Sequence, residues 1–128
     1  MLALDYGRAR CGCAVSDPTG TLARPLEAIS DPRSDGGVAE IVRLAAELGA
    51  ERVVVGLPVS LSGEEGAQAT EARAFAERLA QSLSVPVETF DERFTTTLAQ
   101  RTPGRAPEDS RAAAHLLESY LARRSRSE

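Results

Sequence analysis

Leu2-Ala3-Leu4-Asp5-Tyr6-Gly7-Arg8-Ala9-Arg10-Cys11-Gly12-Cys13-Ala14-Val15-Ser16-Asp17 is the stretch on which the fold turns. Leu2 to Leu4 is a short apolar run that reads as a buried strand. It stops at Asp5, a glycine and two arginines. Gly12 to Val15 is a second apolar run, closed by Asp17-Pro18. Two such runs around a tight basic turn predict a hairpin. A carboxylate at the end of a buried strand is held rigidly and is costly to bury alone. Asp5 therefore calls for a metal ion, an arginine or a proton. The plain alternative is a turn residue paired with Arg8 or Arg10, because Asp and Gly are ordinary in turns.

Downstream, Leu22 to Ile29 is a third strand, and Pro25 within it suggests a sheet edge. Val38, Ile41, Val42, Ala45, Ala46 and Leu48 follow helical spacing, with Gly49 as a stop. Val53-Val54-Val55 reads as a strand covered on both faces. Gly56 and Pro58 close it, Gly56 also letting the backbone come near a site. Ala72, Phe75, Ala76, Leu79, Ala80 and Leu83 form a second helical stripe. Val85 to Phe90 is a fifth strand, ending in Asp91-Glu92-Arg93. Thr95 to Gln100 is a short helix candidate. Pro107 suits the first position of a last helix whose apolar face is Ala113, Leu116, Leu117, Tyr120 and Leu121. After Arg123 the chain is polar and should fray. The order β-β-β-α-β-α-β-α-α predicts a single α/β domain over residues 1–128, a mixed sheet with helices on both faces.

The composition narrows the function. A chain of 128 residues suits one domain with a real core. No run is long and apolar enough to span a membrane. Met1 leads straight into a strand-like segment with no basic start or cleavage site, so a cytoplasmic protein is expected. The net charge of −4 does not itself point to nucleic acid. All 15 basic residues are Arg, the better residue for gripping phosphate. Cys11 and Cys13 share a strand face, where a disulfide between them would be strained, and they read as reduced core cysteines. His115 sits off the apolar stripe of the last helix and reads as solvated. The few aromatics argue against a stacking platform for single strands.

Acids stand at three structural transitions: Asp5 after the first strand, Asp91 and Glu92 after the fifth, and Asp109 at the start of the last helix. The C-terminal ends of parallel strands share one sheet edge, where α/β sites form. Three carboxylates converging there would bind Mg²⁺ or Mn²⁺ through oxygen ligands and support phosphodiester cleavage. Each has a plainer role as well. Asp109 favours a helix N-terminus electrostatically, Asp91 could pair with Arg93, and Glu92 could be a surface residue. Arg8 and Arg10 could hold a substrate phosphate or form salt bridges to Asp5 or Asp17.

Four ordered motifs sharpen this reading. They are Asp5-Tyr6-Gly7-Arg8 with Gly12, Ala14, Ser16 and Asp17; Val55-Gly56-Leu57-Pro58 with Ser62-Gly63; Asp91-Glu92-Arg93-Phe94-Thr95-Thr96; and Asp109-Ser110 with Ala112-Ala113, Leu117 and Tyr120-Leu121. Together they resemble the YqgF/RuvX family, described as Holliday junction resolvases and as pre-16S rRNA nucleases, over nearly the whole chain. The resemblance implies an RNase H-like fold with strand order 3-2-1-4-5 and divalent-metal nuclease chemistry. It maps the family's first aspartate to Asp5, its Asp-Glu-Arg motif to Asp91, Glu92 and Arg93, and its late helix aspartate to Asp109. Strand alternation puts Asp91 and Glu92 on opposite faces, so one of them is the ligand, with Glu92 favoured for its longer arm. Arg93 joins Arg8 and Arg10 as a phosphate contact.

The implied substrate is the 5′ end of the precursor of small-subunit rRNA. A four-way DNA junction is the alternative, and its two symmetric cuts would call for a homodimer. Two further readings stay open: a non-catalytic RNA-binding assembly factor on the same fold, and a nucleotide-handling protein. The latter is disfavoured by the short chain and the absence of a P-loop. One departure from the family bears on the substrate. The segment between Thr96 and Asp109 is short, with only Arg101 and Arg105 as bases. Either nucleic-acid contact there is reduced or a disordered loop is missing from the sequence.

Overall fold

Leu2, Ala3 and Leu4 are wholly shielded from solvent in β1 (Leu2–Asp5), and Asp5 emerges at its end. The computed structural model describes residues 1–17, 20, 22–58, 66–92 and 108–127, with the backbone alone for 108, 109 and 125–127. The other elements are β2 (Arg10–Ser16), β3 (Ala23–Ser30), α1 (Asp35–Leu48), β4 (Val53–Leu57), α2 (Ala67–Ser82), β5 (Val87–Asp91) and α3 (Glu108–Ser127). The expected short helix at Thr95–Gln100 falls outside the described residues, as do Pro107, Arg93, Arg101 and Arg105.

The five strands form one sheet in the order β3-β2-β1-β4-β5. β1 pairs antiparallel with β2 and parallel with β4, and β4 runs parallel to β5. β1 is thus central, and β3, the strand with Pro25, is an edge, where a missing N–H is tolerated.

Strand alternation separates two cores. Leu2, Leu4, Cys11, Cys13, Val53 and Val55 face α1 and α2, meeting Val38, Ile41, Phe75 and Leu79. Ala3, Ala14 and Val54 face α3, meeting Ala113, Leu116, Leu117 and Tyr120. Both cysteines are free and buried, as their spacing predicts. Leu117 is completely shielded, and truncating it to Ala would cost about 2–5 kcal/mol.

Local chemistry sets the helix ends. Ser34 caps α1 through its hydroxyl, which accepts the Gly37 N–H at 2.9 Å. Gly49 ends the helix at φ 64°, a left-handed conformation that favours glycine. α2 begins at Ala67, ahead of the apolar stripe that starts at Ala72. The Ala-Gln-Ala-Thr-Glu run before that stripe is good helix sequence that lacks only apolar periodicity. Leu83, the last residue of the expected stripe, is the C-cap of α2, not part of the helix. The α3 backbone stays helical to Ser127, past the Arg123 at which fraying is expected.

Candidate active site

Parallel pairing carries β1, β4 and β5 to a common C-terminal edge. Leu4 pairs with Val55, so Asp5 and Gly56 are each the next residue along adjacent strands. Gly56 pairs with Phe90 and Leu57 with Asp91. Asp5 alternates with Ala3, and Gly56 with Val54, which places both on the α3 face. On β5 Phe90 also packs with the α3-side core, so Glu92 falls on that face and Asp91 on the other.

Glu92 reaches back over Gly56. A Cβ built on Gly56 would stand 2.7 Å from Glu92 Oε1 and 3.0 Å from Leu116 Cδ2. The glycine is therefore a seat for the glutamate, and its bare Cα is what lets the side chain lie across the sheet. There Glu92 hydrogen-bonds to Asp5. Burial, this hydrogen bond and the charges of Asp5 and Asp91 push the Glu92 carboxyl up to about 8. At neutral pH the two acids thus share a proton, because two bare carboxylates in a half-buried site repel.

The first turn of α3 sits at the same end. Ser110 is completely buried, and its Oγ accepts the Cys13 backbone N–H at 3.4 Å, where a register shift interrupts the β2–β3 ladder. The neighbouring Gly12 pairs with Asp5 across the hairpin. The Asp109 backbone is adjacent to this anchor, and its side chain lies outside the described residues. Among the described residues no group of three or more His, Cys, Asp and Glu is spaced to hold a metal ion. The carboxylates brought into direct contact are Asp5 and Glu92.

The pair opens into a cleft of about 430 Å³ lined by Asp5, Tyr6, Gly7, Arg8, Pro58, Gln68, Glu71 and Glu92. Arg8 pairs with Glu71. Its Nε donates to both carboxylate oxygens of Glu71 on α2, at 3.0 and 2.9 Å. Asp17 accepts the Leu22 N–H at 3.1 Å. Arg10 is exposed at the start of β2. His115 is half-buried on α3 and has an interaction partner.

Glu71, Gln68 and Arg33 were not legible as site residues. Glu71 and Gln68 stand on polar positions of α2 and Arg33 in the loop before α1, and nothing in their local spacing distinguishes them from surface residues.

A carboxylate pair at the C-terminal edge of a sheet ordered 3-2-1-4-5, with two helices on one face and a third on the other, defines an RNase H-like protein. The comparisons with known proteins agree and go further. A model of the RuvX family, described as Holliday junction resolvase, matches residues 1–123. The chain belongs to the RuvX family. A protein of Chloroflexus aurantiacus named "Putative pre-16S rRNA nuclease" is 44% identical over 135 residues, covering 98% of this chain and 88% of its own. A Thermobifida fusca protein of the same name is 51% identical over 100 residues, covering 77% of this chain and 62% of its own. Among solved structures, Thermus thermophilus RuvC in complex with a Holliday junction substrate superposes with a TM-score of 0.64 at 16% identity, covering 98% of this chain and 96% of that one. The fowlpox virus resolvase with its junction DNA gives 0.54 at 10%, covering 95% and 98%. At these identities the two structures establish the fold.

Proposed function

We propose that the chain is a divalent-metal-dependent nuclease that hydrolyses phosphodiester bonds, acting in the cytoplasm on the 5′ end of pre-16S rRNA. The observation that carries this reading is the Asp5–Glu92 pair seated over Gly56, with Glu92 holding a proton to about pH 8. A cation offers the same two carboxylates a better solution than a shared proton. Oxygen donors of this kind suit Mg²⁺ or Mn²⁺.

Asp5 and Glu92 would hold the ion, with Asp109 as a further ligand from the first turn of α3. When bound, such an ion activates water and stabilises the leaving oxygen of the phosphodiester. The chain's own residues do the rest. Glu92 would hold such an ion as its carboxylate, beside Asp5, in place of the proton it carries in the metal-free site. Arg8, Arg10 and Arg93 steady substrate phosphates through charge-assisted hydrogen bonds. The rigid ends of β1 and β5 fix the reacting geometry, and Asp91, on the opposite face, biases Glu92 by its charge.

Cleavage assays offering pre-16S rRNA, a four-way DNA junction and nucleoside triphosphates side by side, with Mg²⁺ or Mn²⁺, test the reading. Specific trimming of the rRNA precursor, lost in Asp5→Asn, is the expected result. Metal-supported binding without cleavage of any substrate would instead indicate an assembly factor. The second reading is junction cleavage, favoured by the family's description and by the likeness to RuvC. It requires a homodimer with two sites, and symmetric paired cuts in the junction would identify it.

A further inference from the structure

Of the charges in and beside the cleft wall, the proposed chemistry uses Arg8 and leaves Glu71 and Arg33 unexplained. Glu71, on α2, is held by two arginines from different segments. Arg8, in the β1–β2 turn, grips it with Nε at 3.0 and 2.9 Å and with its second nitrogen at 2.8 Å. Arg33, in the loop before α1, reaches the same carboxylate at 3.4 Å. The Arg33 loop is in turn tied down: Arg78, further along α2, donates to the Arg33 carbonyl and to the Asp35 carboxylate. The two guanidinium groups are thus positioned before any ligand arrives, while remaining open to solvent, at 70% and 53% side-chain exposure.

Two guanidinium groups converging on one oxyanion form an anion-binding geometry. Glu71 occupies it with a planar carboxylate, the intramolecular counterpart of a phosphate. Beside it, the Tyr6 hydroxyl is buried and makes no hydrogen bond among the described residues, although Tyr6 lines the same cleft and lies in the field of Arg33, Glu71 and Arg8. A donor without an acceptor in a cleft wall is a cost that a ligand oxygen would remove.

We propose that Arg8 and Arg33 form a backbone-phosphate seat at the mouth of the cleft, which Glu71 fills in the free protein and which a nucleic-acid phosphate takes over by displacing the Glu71 carboxylate. The proposal rests on the nuclease reading and adds to it a binding residue, Arg33, and an internal competitor, Glu71. The competitor sets a threshold. A single phosphate gains little by exchanging with a tethered carboxylate. A polynucleotide anchored elsewhere in the cleft presents its next phosphate at high effective concentration and wins.

Binding of a short labelled single-stranded RNA and of a labelled DNA duplex, each titrated by fluorescence anisotropy in EDTA so that cleavage is blocked, tests the seat. Glu71→Gln should bind several-fold tighter than wild type. Its affinity should fall more steeply with salt, by about 0.7–0.9 in log-log slope for one added phosphate contact. The control is Glu47→Gln. It changes the net charge equally and releases Arg43 from an exposed pair at 2.8 Å on α1, away from the cleft, and it should leave affinity and slope unchanged. Arg33→Ala combined with Glu71→Gln should abolish the gain. If Glu71→Gln matches wild type or Glu47→Gln, the seat is wrong while wild-type cleavage still upholds the nuclease. If neither wild type nor Glu71→Gln binds either probe, the seat is wrong, and the nuclease reading then stands or falls separately on wild-type cleavage with Mn²⁺.

Discussion

Glu92 lies across Gly56, its Oε1 only 2.7 Å from where a Cβ on that glycine would stand. The seat ties the end of β5 to the end of β1 through β4, and it keeps the glutamate within reach of Asp5. Gly56→Ala should therefore push Glu92 off Asp5 and crowd Leu116. Overpacking of this kind costs about 1–3 kcal/mol, and displacing the proposed ligand Glu92 by ~1 Å would cost about a hundredfold in rate. Thermal melts and single-turnover cleavage measured together should show a rate loss far beyond what any unfolded fraction explains.

The raised Glu92 carboxyl makes a pH prediction. Folded, it holds its proton up to about pH 8, against 4.5 for the unreacted group in the open chain. Its stabilising contribution is full below the lower value and is lost as pH rises through the upper one. In metal-free buffer the melting temperature should accordingly decline from about pH 5 to about pH 8. Excess Mn²⁺ should reverse the trend, because the cation replaces the proton. Glu71 is lowered by its Arg8 hydrogen bond, so its influence lies on the acid side and leaves this window clear. Glu92→Gln should flatten the profile, and a decline that persists in this variant would assign the titration to another group.

Ser110→Ala tests how α3 is anchored. The substitution leaves the Cys13 N–H without its acceptor in a site closed to water. It should cost about 1–3 kcal/mol in urea unfolding. Because Asp109 adjoins this anchor, cleavage should drop further than stability alone predicts. A neutral effect on both would mean that packing of Ala113, Leu116 and Leu117 suffices to place the helix.

Tyr6→Phe should behave in the opposite way. The hydroxyl has no acceptor among the described residues, so its removal should leave stability unchanged or raise it by up to about 1 kcal/mol. The ring, 4.7 Å from that of Phe75, remains in place. Nucleic-acid affinity should weaken. A clear loss of stability would show that the hydroxyl is satisfied in the free protein.

The legible parts of this protein were those written in local pattern. Apolar runs at Leu2–Leu4 and Val53–Val55 announced buried strands, and Pro25 announced the edge. Alternation separated Asp91 from Glu92, and the longer arm of Glu92 favoured the residue that meets Asp5. The strand order came from resemblance, since no local spacing says which strand lies beside which. The sequence reads Gly56 as closing its strand and as letting the backbone near a site; β4 continues through Leu57, and the bare glycine makes room for a side chain 36 residues further on. For Arg8 the sequence offers a substrate phosphate or a salt bridge to Asp5 or Asp17, and neither names Glu71. That partner is 63 residues away, on a helix brought alongside only by the tertiary fold. Contacts of that kind depend on packing, which one-dimensional periodicity does not encode.

The most direct measurement of the central claim compares wild type with Asp5→Asn for cleavage and for melting temperature, each with and without Mn²⁺. Asn keeps the size of Asp5 and removes its charge, leaving a poor ligand and relieving repulsion with Glu92. The expected result is loss of cleavage by several orders of magnitude, unchanged or higher stability without metal, and a Mn²⁺-dependent rise in melting temperature that is large in wild type and small in the variant. Near-normal cleavage by a folded Asp5→Asn protein would contradict the assignment of this acid pair as the catalytic metal site.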